Sequence, residues 1–133
     1  MKMTDDLMLL RYMNVQSGNG FSVDKDLNGY NPLVEAYAVG GAADSVECVD
    51  NNLLSYNAFS YTMELLIDFI KRTEFEDDFL NVKVIGAWVN DDNYAYIEVS
   101  NVLFDRDSAI ALGKERGEEA IWDFKNNCEI KLT

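Results

Sequence analysis

Residues 80–104 read LNVKVIGAWVNDDNYAYIEVSNVLF, and they decide the fold. In residues 80–89, Val82, Val84 and Trp88 alternate with Asn81 and Lys83. In residues 94–104, Ala95, Ile97 and Val99 alternate with Tyr94, Tyr96 and Glu98. Between the two runs lies the short polar segment Asn90-Asp91-Asp92-Asn93. Period-two alternation across a tight polar loop predicts a pair of antiparallel strands.

Working outward, Asp105 is a helix N-cap type, and residues 106–116 predict a helix with Gly117 at its stop. Residues 120–124 and 128–132, joined by Lys125-Asn126-Asn127, predict a second hairpin. Upstream, Phe59, Met63, Leu66, Ile67 and Ile70 recur with helical period, predicting a helix over residues 57–72 with one apolar stripe facing the core. Residues 7–15 suit a buried first strand, with helix as the alternative. Residues 17–20 read as a loop, residues 21–23 as more sheet, residues 33–39 as a short helix or a strand, and Gly40-Gly41 as a break. Helices interleave with hairpins. The expectation is therefore an α+β fold: a mainly antiparallel sheet built from hairpins with two main helices packed on it, in one acidic domain spanning residues 1–133.

The composition narrows the function. A chain of 133 residues that is 48% hydrophobic can fill one core. No apolar run approaches membrane-spanning length, and the N-terminus lacks the basic start and cleavage site of a signal peptide, so a cytoplasmic protein is expected. There is no histidine, which removes the commonest general base, the Ser-His and Cys-His nucleophile pairs and most zinc sites. No phosphate-binding loop follows Ser17-Gly18-Asn19-Gly20, and a non-enzyme is expected. Cys48 and Cys128 are expected as reduced, core-like thiols. The net charge is -13, with -6 over residues 1–66 and -7 over residues 67–133. Such a chain repels nucleic acid and anionic membranes, and its natural partner is a protein with a basic surface.

Two groups of side chains are candidate sites. The stretch DKDLNGYNPLVE, residues 24–35, matches the calcium-loop pattern, with Asp24, Asp26, Asn28 and Glu35 as side-chain ligands, Tyr30 offering its carbonyl and Gly29 the bend. Asp, Asn and Gly are also what a turn uses, and Asn31-Pro32 resembles an N-cap followed by proline at the first helical position. Two glycines sit in the segment where an entering helix would lie, and loop position 8 is Asn31 rather than an apolar residue. The stretch therefore reads as a turn followed by a helix start, or as a calcium site outside the EF-hand class. The second group is acidic: Glu74, Glu76, Asp77 and Asp78, with Asp91 and Asp92 at the hairpin tip. These read as solvated loops or as an anionic surface imitating nucleic-acid phosphates.

Residues 86–132 resemble small accessory proteins of phages and prophages. The resemblance lies in Gly86-Ala87-Trp88, Tyr96-Ile97-Glu98-Val99-Ser100, Ala109-Ile110-Ala111-Leu112-Gly113 and Ala120-Ile121-Trp122-Asp123, with Gly18-Asn19-Gly20-Phe21-Ser22-Val23 also similar. It implies a shared fold and the company of a mobile element, and carries over no catalytic residue. By class, many such proteins are acidic binders that block host defence, as anti-restriction and anti-CRISPR proteins do, and the alternatives are a small calcium-binding module using residues 24–35 or a structural or oligomerising phage protein.

Overall fold

The computed structural model describes residues 3–43, 47–74 and 82–133. In chain order the elements are α1 (Met3–Gln16), β1 (Phe21–Val23), β2 (Tyr37–Gly40), β3 (Glu47–Asp50), α2 (Tyr56–Thr73), β4 (Lys83–Val89), β5 (Tyr94–Leu103), α3 (Arg106–Glu115), β6 (Ala120–Asp123) and β7 (Cys128–Lys131). The seven strands among the described residues belong to one sheet, six of them in the order β1-β4-β5-β2-β6-β7 with β3 pairing only with β5, and every pairing is antiparallel. The fold class is α+β.

The long β5 organises the sheet. One edge pairs with β4 from Ala95 to Asn101. The other pairs with β3 over Tyr94–Ile97 and with β2 over Ser100–Leu103, so two short strands share one edge in succession. Ala42 bridges the gap between them by donating its N–H to the Val99 carbonyl at 3.1 Å.

Strand side chains alternate between faces, and all three helices cover the same one. Met8 and Val15 of α1, with Phe59, Met63, Leu66 and Ile70 of α2, bury Ile85, Ala87, Ala95, Ile97 and Val99. At the other end, α3 packs Ala109 over Tyr37, Val39, Leu103 and Ile121. Ser55 caps α2 by accepting the Ala58 N–H, and Lys71 and Arg72 complement the helix dipole in its last turn. Asp105 caps α3 through the Ser108 N–H. No helix among the described residues is long and apolar enough to cross a membrane.

Three expectations are corrected. Residues 7–15 form most of a helix, not a strand: Met8, Tyr12 and Val15 fall on one helical stripe, while exposed Leu9, Leu10 and Met13 obscure the period. The described residues therefore hold three helices. No helix starts at Asn31-Pro32; residues 31–36 carry no regular element, and the strand begins at Tyr37. Cys48 and Cys128 are exposed, because both stand on outer strands. The alternation left open which face of β4 meets the helices, and it is not that of Val82, Val84 and Trp88. Ile85 and Ala87 meet them, while Val84 packs on the opposite face with Ala36 and Val102 beneath Tyr30 and Phe124.

Candidate functional site

The segment that matched the calcium pattern is a closed turn. The Asp24 carboxylate accepts the N–H groups of Asp26 at 2.8 Å and Asn28 at 3.1 Å. Asp24 N–H donates to the Asn28 carbonyl at 2.9 Å, and Leu27 N–H to the Asp24 carbonyl at 3.0 Å. This is aspartate satisfying its own local backbone. The bend falls on Leu27, at φ 69°, and not on Gly29. Leu27 is fully buried, and its carbonyl accepts Arg11 Nη2 at 2.9 Å, so core packing and a cationic donor hold a conformation that leucine rarely adopts. Tyr30 N–H is tied to the Ser22 carbonyl, and Glu35 accepts the Tyr37 hydroxyl at 2.8 Å. Among the described residues, no three acidic or cysteine side chains gather as metal ligands.

The acidic candidates do not share one place. Glu74 follows α2 and is ion-paired with Lys25. Lys25 lies beyond Val23, which stands opposite Ile85 at the start of β4. Asp91 and Asp92 sit at the other end of that strand, in the β4–β5 turn, both exposed. Asn90 fixes this turn by accepting the N–H groups of Asp92 and Tyr94. Buried Asn51 ties it to α1, pairing with Asn93, Val15 and Gln16. Glu76, Asp77 and Asp78 lie outside the described residues.

A different group converges on the face that the helices leave uncovered. Trp88 and Tyr96, opposite one another on β4 and β5, stack with centroids 4.2 Å apart and planes 8° from parallel. Trp88 is 47% exposed and Tyr94 42%. Beside them, Glu98 stands opposite Gly86. A Cβ on Gly86 would meet only the Phe21 carbonyl, at 4.0 Å, so the sheet surface there is a hollow.

On the other side of Glu98, a Cβ on Gly40 would collide with the carboxylate of Glu98, at 2.6 Å, and with that of Glu118. Only glycine lets these two carboxylates crowd the same point. Burial and the facing Glu118 push Glu98 up to about 7, against the Gly41 N–H and the Arg116 charge, which lower it. Burial also raises Glu118. Arg116 does not bond to either: Nη1 donates to the carbonyls of Val39 and Gly40, and Nη2 to Asn101 Oδ1 at 2.7 Å. The pair can hold a proton near neutrality or accept a cation. Asp50, opposite Tyr94, and Glu129, opposite Trp122, add carboxylates to the same face.

Sequence reasoning missed Trp88, Tyr96, Glu98 and Glu118 as a site. The signal was present on β5, where the side of the strand read as polar carries two tyrosines. The Gly40 contact was not readable, since it joins residues 58 and 78 positions apart. No protein-family model, curated protein or solved structure matches the chain.

Proposed function

We propose that the protein is a non-catalytic accessory protein, of the kind carried by phages and mobile elements, that binds a host protein through the open sheet face. The partner presents a basic, nucleic-acid-binding surface, and its occupation excludes nucleic acid, as an inhibitor of a defence system would. The observation that carries this reading is the exposed Trp88–Tyr96 stack beside the Glu98–Glu118 pair. Aromatic rings are the usual anchors of protein interfaces, and carboxylates around them select a cationic partner. The net charge of -13 supports the same choice by steering encounter with basic surfaces.

The test is capture of host nucleic-acid-binding proteins on the immobilised chain, graded by salt and by added double-stranded DNA. Capture is expected to fall as salt rises, to be displaced by DNA, and to be lost in the double variant Asp50→Lys, Glu129→Lys. Capture indifferent to salt, or unchanged by those reversals, contradicts the reading.

A further inference from the structure

The net charge explains attraction to a basic surface but not the shape of the open face. There, a flat aromatic stack with one exposed ring adjoins a glycine-floored hollow at Gly86, and beyond the hollow two carboxylates meet over Gly40. Ion pairs among the described residues are Lys25–Glu74 and Arg72–Asp68, so neither Glu98 nor Glu118 has one. The nearby guanidinium of Arg116 is bonded to Val39, Gly40 and Asn101 instead. The face thus offers a planar apolar surface next to two carboxylates that Arg116 influences but does not bond.

We propose that this recess receives an arginine side chain of the partner, its stem lying along Trp88 and the Gly86 hollow and its guanidinium donating to Glu98 and Glu118. The proposal rests on the reading that the open face meets a cationic protein surface. Arginine fits better than lysine because its guanidinium is planar, stacks on aromatic rings and presents several N–H donors to carboxylates in a fixed geometry. An ammonium is a point charge that uses the carboxylates and gains less from the rings. Phosphates and other anions are repelled.

Binding should also be linked to a proton. Glu98 is faced by Glu118 from the α3–β6 connection, Arg116 at the end of α3 and the Gly41 N–H from the β2–β3 connection; β4 presents only the hydrogen of Gly86. Cys48 of β3 stands opposite Tyr96. A bound guanidinium favours ionised Glu98, so a proton leaves on binding and affinity rises from about pH 6 to about pH 8.

The experiment is calorimetric titration with a nine-residue peptide carrying three arginines among glycines and serines, alongside its citrulline and lysine counterparts. The arginine peptide should bind most tightly, and the citrulline peptide, equal in shape but uncharged, at least about tenfold more weakly. Trp88→Ala and Glu98→Gln should each weaken arginine-peptide binding about tenfold. Glu64→Gln, which removes the same charge from α2, should leave it unchanged, and the pH dependence should vanish in Glu98→Gln. No binding, equal affinity for the citrulline peptide, or equal loss in Glu64→Gln and Glu98→Gln overturns the proposal. If only this inference is wrong, salt-sensitive capture of host proteins survives in Trp88→Ala and Glu98→Gln and is still lost in Asp50→Lys, Glu129→Lys. If the broader reading is wrong, that double reversal has no effect.

Discussion

The two faces of the sheet use the same strands for opposite ends. On the helix-covered face, β5 contributes Ala95, Ile97 and Val99, all buried against α1 and α2. One residue out of step, the same strand presents Tyr94, Tyr96 and Glu98 to a surface that none of the described helices covers. Burial of apolar area stabilises the first face. The second keeps an exposed ring stack, which adds little stability, and a carboxylate pushed up to about 7, which costs some. On the proposed reading, stability and recognition are divided by strand parity, and substitutions on the two faces should separate them.

The largest effect belongs to the covered face. Phe59 is fully buried and packs its ring against Tyr12 and Phe21. Phe59→Ala should cost about 3–5 kcal/mol in urea denaturation; a loss near zero would mean that α2 does not anchor the core.

Next is Glu98→Gln, which should stabilise. Because folding raises the Glu98 carboxyl, the folded state binds the extra proton between the ordinary carboxylate range and about pH 7, so stability falls as pH rises through that window. The variant should flatten this fall and gain on the order of 2 kcal/mol at pH 8 after allowance for solvent screening. Thermal melts across pH measure it, and a destabilised variant with unchanged pH dependence would break the comparison.

A smaller effect comes from the turn at residues 24–28. Asp24→Ala removes the acceptor for two backbone N–H groups and should cost about 1 kcal/mol. The same variant should melt identically with and without calcium. Smallest is Trp88→Ala, which gives up a half-exposed stack and should cost no more than about 1 kcal/mol in urea. A loss as large as that of Phe59→Ala would make Trp88 a core residue and remove the contrast between the faces.

Much of the covered face was legible in the sequence. The alternation in residues 80–104 gave the β4–β5 hairpin, and the stripe from Phe59 to Ile70 gave α2 almost to its ends. Asp105 and Gly117 bracketed α3 because caps are local chemistry. Where the signal was not local, the reading failed. In α1 exposed leucines masked the period, and β3 is a four-residue strand whose Glu47 and Asp50 do not mark it as sheet. The alternation did not say which face Trp88 takes; its register opposite Tyr96 turns it outward. The Glu98–Glu118 meeting over Gly40 depends on how β2 docks between β5 and β6, which only the folded sheet reveals.

The most direct test of the central claim, that the uncovered face is the binding surface, is backbone amide chemical-shift mapping during titration with the three-arginine peptide. The account predicts shifts concentrated at Gly86, Trp88, Tyr96, Glu98 and Gly40, growing in a saturable way and absent with the citrulline peptide. Shifts centred on α1 and α2, or at Asp91 and Asp92 alone, would contradict it.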